Sequence, residues 1–187
     1  MGRLIYSFNV SVDGFVETPD HDLSWSLVDE EMHAIFNAQT AGIAASLYGR
    51  RLYELMAGYW PQAAEDPEST GVELEFAKLW VATPKIVFSR TLTSVRPGDR
   101  LVAGDVGEVL AAVRREFDGD LEVGGPTLAA QFVERDLVDE YRVMIHPAAL
   151  GSGTPFWPRG VGPVSLRLTG TQQLASGAIQ LRYEPRR

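Results

Sequence analysis

Residues 121–132 read Leu-Glu-Val-Gly-Gly-Pro-Thr-Leu-Ala-Ala-Gln-Phe. A short apolar segment (Leu121, Val123) runs into Gly124-Gly125, and Pro126 suits the first helical position, where its missing N–H costs nothing. The stretch is a strand, a tight glycine turn and a helix start. Two adjacent glycines allow close backbone approach to a ligand, and the free N–H groups at Thr127 and Leu128, with the positive helix end, favour an anion such as a phosphate. A glycine turn that only tightens strand-to-helix packing is the competing reading. Neither a Walker A sequence nor Gly-x-Gly-x-x-Gly is present, so an ordinary P-loop or Rossmann site is not supported.

Working back from this turn, Asp105 to Phe117 reads as the most secure helix: Asp105 and Glu108 form a capping-box-like pair before Val106, Val109, Leu110 and Val113 at helical spacing. Lys85–Ser89 is an expected strand and Leu101–Ala103 a short one. Ile43–Tyr48 is a buried-type run ending at Gly49-Arg50-Arg51, after which Leu52, Leu55 and Met56 predict a helix. A Tyr59-Trp60-Pro61 loop is expected next. A further helix carries Val72, Phe76, Leu79 and Trp80 and stops before Pro84. At the N-terminus Leu4, Tyr6, Phe8, Val10 and Val12 alternate with polar residues over Arg3–Val12, the period of a strand, and Ile5 signals burial on both faces. A turn at Asp13-Gly14, a Pro/Asp-rich loop carrying Trp25, and a helix from Asp29 follow.

Beyond residue 132, a helix to about Glu134 precedes a strand through Tyr141, Val143 and Ile145. Leu150–Pro155 is expected to be a flexible loop ending at Phe156-Trp157. Two last strands, about Ser165–Leu174 and Ala178–Glu184, predict a terminal hairpin. The expectation is a single α/β domain over residues 1–187, its sheet mixed and mostly parallel, flanked by helices, with an antiparallel edge.

Composition narrows the function. With 45% hydrophobic and 22% charged residues in 187, the chain can bury a substantial core, and 25 acidic against 17 basic residues give a net charge of -8. That balance argues against nucleic-acid and membrane-surface partners. Cysteine is absent, no signal peptide is evident, and no apolar run approaches a membrane span, so a cytoplasmic location is expected. His21, His33 and His146 lack metal-ligand spacing, so no metal site is expected.

Several motifs, in this order along nearly the whole chain, resemble the dihydrofolate reductase fold, and more closely the reductase domain of bifunctional riboflavin-biosynthesis enzymes and their stand-alone relatives. They are Ser11-Val12-Asp13-Gly14-Phe15, Trp25 with Asp29-Glu30-Glu31, Tyr48-Gly49-Arg50-Arg51-Leu52-Tyr53, Tyr59-Trp60-Pro61, Val87-Phe88-Ser89-Arg90, Gly124-Gly125-Pro126-Thr127 and Leu150–Pro155. The resemblance implies that the turns at Gly49 and at Gly124-Gly125 hold NADPH, the latter taking the pyrophosphate. Arg50, Arg51, Ser89 and Arg90 would surround the adenosine 2′-phosphate, where guanidinium groups give bidentate, charge-assisted bonds. A solvated helix start is the alternative for the two arginines, although a cation there opposes the helix dipole.

The resemblance also implies that Asp13 lies where nicotinamide and substrate meet; as Asp-Gly it is equally an ordinary turn residue. A substrate-polarising carboxylate is expected on the first helix, with Asp29 first, Glu31 second, and N-capping as the competing role of Asp29. Trp25, Tyr48 and Trp60 could stack on a heteroaromatic substrate or simply pack. The implied activity is NADPH-dependent hydride transfer to a small pyrimidine- or pterin-like molecule, nearest to 5-amino-6-(5-phosphoribosylamino)uracil reductase. Dihydrofolate reductase and a non-catalytic nucleotide-binding protein are the alternatives. Phe156, Trp157 and the hairpin edge predict a homodimer.

Overall fold

Alternation in the first segment becomes alternation in space. In β1 (Leu4–Ser11), Leu4, Tyr6 and Val10 are buried in the main core, while Ser7, Asn9 and Ser11 fall on the other face, as the two-residue period requires. Ile5 is buried on that second face, so both sides of the sheet are covered. The computed structural model describes residues 2–187. It continues through β2 (Phe15–Glu17), α1 (Glu30–Ala41), β3 (Ile43–Gly49), α2 (Arg50–Glu65), α3 (Gly71–Ala82), β4 (Lys85–Phe88) and β5 (Arg100–Val102). The remainder is α4 (Val106–Glu116), β6 (Asp120–Gly124), α5 (Pro126–Val133), β7 (Glu140–His146), β8 (Thr154–Pro155), β9 (Leu166–Gln173) and β10 (Ile179–Pro185).

Eight strands form one sheet in the order β5-β4-β3-β6-β1-β7-β10-β9. The pairings from β5 to β7 are parallel, whereas β10 is antiparallel to both of its neighbours. The mixed, mostly parallel sheet with its C-terminal hairpin is therefore present. Helix starts follow the local chemistry: Asp105 accepts from Gly107 N (2.9 Å) and Glu108 N (3.2 Å), and Pro126 opens α5.

Three local expectations are corrected. Tyr59-Trp60-Pro61 is not a loop, because α2 runs through it with Pro61 inside the helix. An interior proline costs a helix about 3 kcal/mol; here Trp60 packs edge-on to Phe76 of α3 (centroids 4.5 Å apart) and to His33 of α1 (6.0 Å), and that packing holds the helix together. The expected loop at 150–155 ends in a strand, since Thr154–Pro155 pairs with Phe15–Glu17 in a second, two-stranded sheet. Phe156 does not face outward: it is 2% exposed and stacks on Tyr6 (4.2 Å, 6° between planes), so it contributes to this chain's own core and not to an interface.

The two sheet faces differ in chemistry. The face under α4 and α5 carries the main core, with Leu47, Leu121, Val123 and Tyr141 against Leu110, Val113, Leu128 and Phe132. The face under α1, α2 and α3 is divided. One small cluster centres on Met32 and Met144, another on Tyr48, Tyr53, Trp80 and Val87. Between them the central strands present Ser46, Glu122, Ser7, Asn9 and Arg142.

Candidate active site

The parallel strands bring their carboxyl ends to one edge, where open α/β sheets bind ligands. Gly49 ends β3, Gly124 ends β6, and Ser89 and Gly104 lie just beyond β4 and β5. A cleft of about 960 Å³ opens over this edge, and Gly49, Arg50, Arg51, Ser89, Arg90, Gly125, Pro126, Thr127 and Leu128 all line it. Residues read separately from three turns thus meet in one place.

The two glycines of the central turn do different jobs. Gly125 sits at φ +94°, a left-handed conformation that L side chains resist, and serves as the N-cap of α5. A Cβ on Gly124 would lie 2.6 Å from Leu52 and from Tyr48, so that position is packed, and Gly124 lines the inner cavity described below, not the cleft. The first N–H groups of α5, at Thr127 and Leu128, have no helical acceptor before them. They lie at the cleft floor.

Charge in the cleft opposes that of the chain. Against a net -8, the lining gathers Arg50, Arg51 and Arg90 with Glu17 as its one carboxylate. Arg50 makes a 3.4 Å contact with Glu54 at the surface, and Arg90 has no ion pair among the described residues. Arg51 is already engaged: it donates to both oxygens of Glu17 and its Nη1 lies 2.8 Å from His21 Nδ1. Thr154 Oγ1 adds a 2.6 Å bond to Glu17. Burial pushes the Glu17 carboxyl up, but the bonds from Arg51 and Thr154 outweigh it and hold the carboxyl below its ordinary value. Ser89 Oγ accepts from Thr91 N (3.1 Å) and Leu92 N (3.0 Å), which shapes the turn after β4.

Behind the cleft lies a smaller cavity of about 230 Å³, on the face under α1, α2 and α3. Phe8, Leu23, Leu52 and Leu55 border both spaces. Its charged lining residues are Glu122 and Arg142. Glu122 pairs in register with Ile5 and Ser46, in the middle of the sheet. Burial raises its carboxyl to about 7, the Arg142 charge opposing that rise only in part. Sequence reading passed over this residue. Between Leu121 and Val123 it has the look of the solvent-facing member of an alternating strand, yet β6 is central and covered on both sides, where a charged residue is itself a signal.

The expected carboxylates lie elsewhere. Asp29 caps α1, accepting from Met32 N at 2.9 Å. Glu31 accepts from Ala175 N (2.9 Å), tying α1 to the terminal hairpin. Asp13 accepts from Ser11 Oγ (2.6 Å), Gly151 N (2.7 Å) and Leu150 N (3.1 Å), and these bonds, the Ser11 one foremost, bring its pKa down to about 2. None of the three lines either cavity, because backbone N–H groups have drawn each carboxylate to a structural post. Of the aromatic candidates Tyr48 lines the inner cavity. Trp60 packs within the α1, α2 and α3 layer, its Nε1 3.2 Å from Met56 Sδ. Trp25 lies edge-on to His146 (5.5 Å) with its own Nε1 unpartnered.

This sheet order, with ligand-sized spaces at the strand ends, is the architecture of the dihydrofolate reductase-like proteins. The chain belongs to the RibD C-terminal domain family, whose model matches residues 3–180. It is 31% identical over 182 residues to the uncharacterised protein YyaP of Bacillus subtilis (strain 168), covering 97% of this chain and 94% of that protein. A protein of Shewanella sp. PV-4 described under riboflavin biosynthesis superposes with a TM-score of 0.77 at 21% identity, over 99% of both chains. Dihydrofolate reductase from Enterococcus faecalis, solved with NADP(H), superposes with a TM-score of 0.64 at 14% identity, over 100% of this chain and 98% of that one. At such identities the structural likeness is one of fold.

Proposed function

We propose that the protein is an NADPH-dependent reductase that transfers hydride to a carbon of a small pyrimidine- or pterin-like substrate, nearest in type to 5-amino-6-(5-phosphoribosylamino)uracil reductase. The observation that carries this reading is the junction of two spaces: an arginine-bearing cleft over a glycine turn, and a smaller cavity sharing Phe8, Leu23, Leu52 and Leu55 with it. A long dinucleotide and a compact ring would meet at that apolar border. The cleft residues fit such a cofactor, since Gly125 offers no side chain against the approach of a diphosphate, and Thr127 and Leu128 provide helix-start N–H groups. Arg50 and Arg90, with Ser89, are the groups for the 2′-phosphate.

When bound, the cofactor supplies the hydride. The chain's own part is orientation and exclusion of water. Leu23, Leu52, Leu55 and Phe8 shield the border, while Glu122, Arg142 and Tyr48 supply polarity inside it. We further propose a cytoplasmic protein acting as a homodimer. No helix among the described residues is long and apolar enough to cross a membrane. An apolar groove between β7, β10 and residues 157–166, lined by Val143, Ile145, Trp157, Val164 and Leu181, suits the pairing, and β9 is an open sheet edge. The test is loss of nicotinamide absorbance with a panel of the ribosylaminopyrimidine, its phosphate and dihydrofolate. Turnover of one of the first two is expected; no oxidation of NADPH with any of them would reject the reading.

A further inference from the structure

Strand β1 carries an acceptor that the chain itself does not answer. Asn9 lines the inner cavity, and its Oδ1 is buried with no hydrogen-bond partner among the described residues. Asn37 shows what a structural amide does here: its Nδ2 donates to Val72 O (2.9 Å) and Glu75 Oε2 (2.7 Å), tying α1 to α3. Trp80 Nε1 is also unpartnered on this lining, but its indole is packed with Tyr48, Tyr53 and Val87, with Lys85 Nζ 3.7 Å from the ring centroid. Position singles out Asn9. Strand β1 keeps step with β6 as far as Tyr6 and Val123, so Asn9 stands two residues past the level of Gly124, where β6 ends, about 7 Å toward the cleft at 3.3 Å per residue. Its register neighbour on β7 is Met144, buried and with no donor to offer, and Ser11 Oγ, next on the same face, is spent on Asp13 at 2.6 Å. A buried carbonyl oxygen without a donor is costly. Because a carboxamide is uncharged, the group that suits it is a neutral one carrying an N–H.

We infer that Asn9 is the specificity-determining residue of this cavity, its carboxamide pairing with the lactam edge of a neutral pyrimidine ring, where a ring N–H stands beside a carbonyl. The inference deepens the reductase reading and rests on it for what the cavity holds. Asn9 Oδ1 accepts from the ring N–H while Nδ2 donates to the adjacent carbonyl, two parallel bonds between uncharged partners. The uracil ring of the proposed substrate type carries this edge on both sides of its N3. A methyl group on that nitrogen removes the donor and leaves the buried oxygen unanswered, a loss that a site built around a hydrogen bond rejects strongly. Asn9 thus selects rings whose nitrogen keeps its proton. An aspartate in its place accepts but cannot donate, and sets a carboxylate oxygen against the ligand carbonyl.

The experiment titrates 5,6-diaminouracil and its 3-methyl derivative calorimetrically into the wild type, Asn9→Ala and Asn9→Asp, with and without NADPH, whose own affinity is measured separately. The wild type is expected to bind the unmethylated ring at least tenfold more tightly. Asn9→Ala, which removes the carboxamide and leaves room for a methyl group, should weaken the unmethylated ring at least tenfold and bring the two rings within about twofold of each other, because both changes remove one bond and their losses do not add. Asn9→Asp keeps the shape of the side chain and should still lose the unmethylated ring to a similar degree. Thermal melts establish that each variant is folded, and the aspartate variant carries the comparison if the alanine one is not. A wild type that binds neither ring, or both alike, overturns the inference, as does an alanine variant that keeps the full preference or an aspartate variant that binds the unmethylated ring as the wild type does. Failure of NADPH to bind rejects the reductase reading alone, because the preference is still read in the titration without cofactor.

Discussion

Two arginines that adjoin in sequence stand in different electrical surroundings. Arg51 is answered by Glu17 and His21 across the cleft mouth, whereas Arg50 has only a 3.4 Å contact at the surface. A ligand phosphate therefore gains more from Arg50 and Arg90. Arg50→Ala should weaken NADPH binding by about 1.5–3 kcal/mol, the range for a hydrogen bond to a charged group, and leave NADH nearly unaffected. Calorimetry with both cofactors decides it, and equal affinities of the wild type for the two would remove the phosphate assignment. The glycine pair divides in the same manner. Gly124→Ala should destabilise by about 1–3 kcal/mol through overpacking against Leu52 and Tyr48, read from urea midpoints. Gly125→Ala carries backbone strain instead, since φ is +94° there and no atom lies nearer than 3.6 Å to the added Cβ.

At the scale of elements, α1 shows how a carboxylate can be claimed by structure. Asp29 satisfies the N–H of Met32, so Asp29→Ala should cost about 1 kcal/mol and Asp29→Asn very little. Because Asp29 lies outside both cavities, Asp29→Asn is expected to retain NADPH binding and turnover alike. A variant that stays folded and binds cofactor yet loses most of its rate would return the substrate-polarising role to this helix. Helix α2 makes the complementary point. Its proline lies mid-helix because aromatic packing against α1 and α3 outweighs the local penalty. No count of local propensities contains that term.

For the whole molecule, Glu122 couples stability to pH. Its carboxyl rises from the ordinary 4.5 to about 7 on folding, so the folded state binds the proton more tightly than the unfolded chain. The group's contribution is full below pH 4.5 and is lost as pH rises through 7. The displacement corresponds to about 3 kcal/mol. Arg142 on β7 and Tyr48 on β3 are the charged and titratable groups facing it. Urea unfolding of the wild type and Glu122→Gln between pH 4.5 and 8.5 isolates this contribution from the many paired carboxylates: the difference between the two proteins should grow in favour of the variant as pH rises. A constant difference would show that Glu122 is not desolvated. Assembly belongs to this scale as well. Sedimentation at micromolar concentration should show a dimer, and Val164→Glu, in the groove beside β10, should give a monomer.

Periodicity and turn chemistry were enough to read most of the architecture from the chain itself. β1 announced itself by alternation, α4 by its capping pair, α5 by Pro126 after the glycines, and the hairpin by its two final apolar runs. The arginine and glycine turns were legible for the same reason, since their chemistry is local. Glu122, the division of labour between Gly124 and Gly125, the Arg51 to Glu17 pair and the burial of Phe156 were decided only by tertiary structure. Each depends on which strand or loop lies alongside, and a period of two says which residues share a face without saying what covers it.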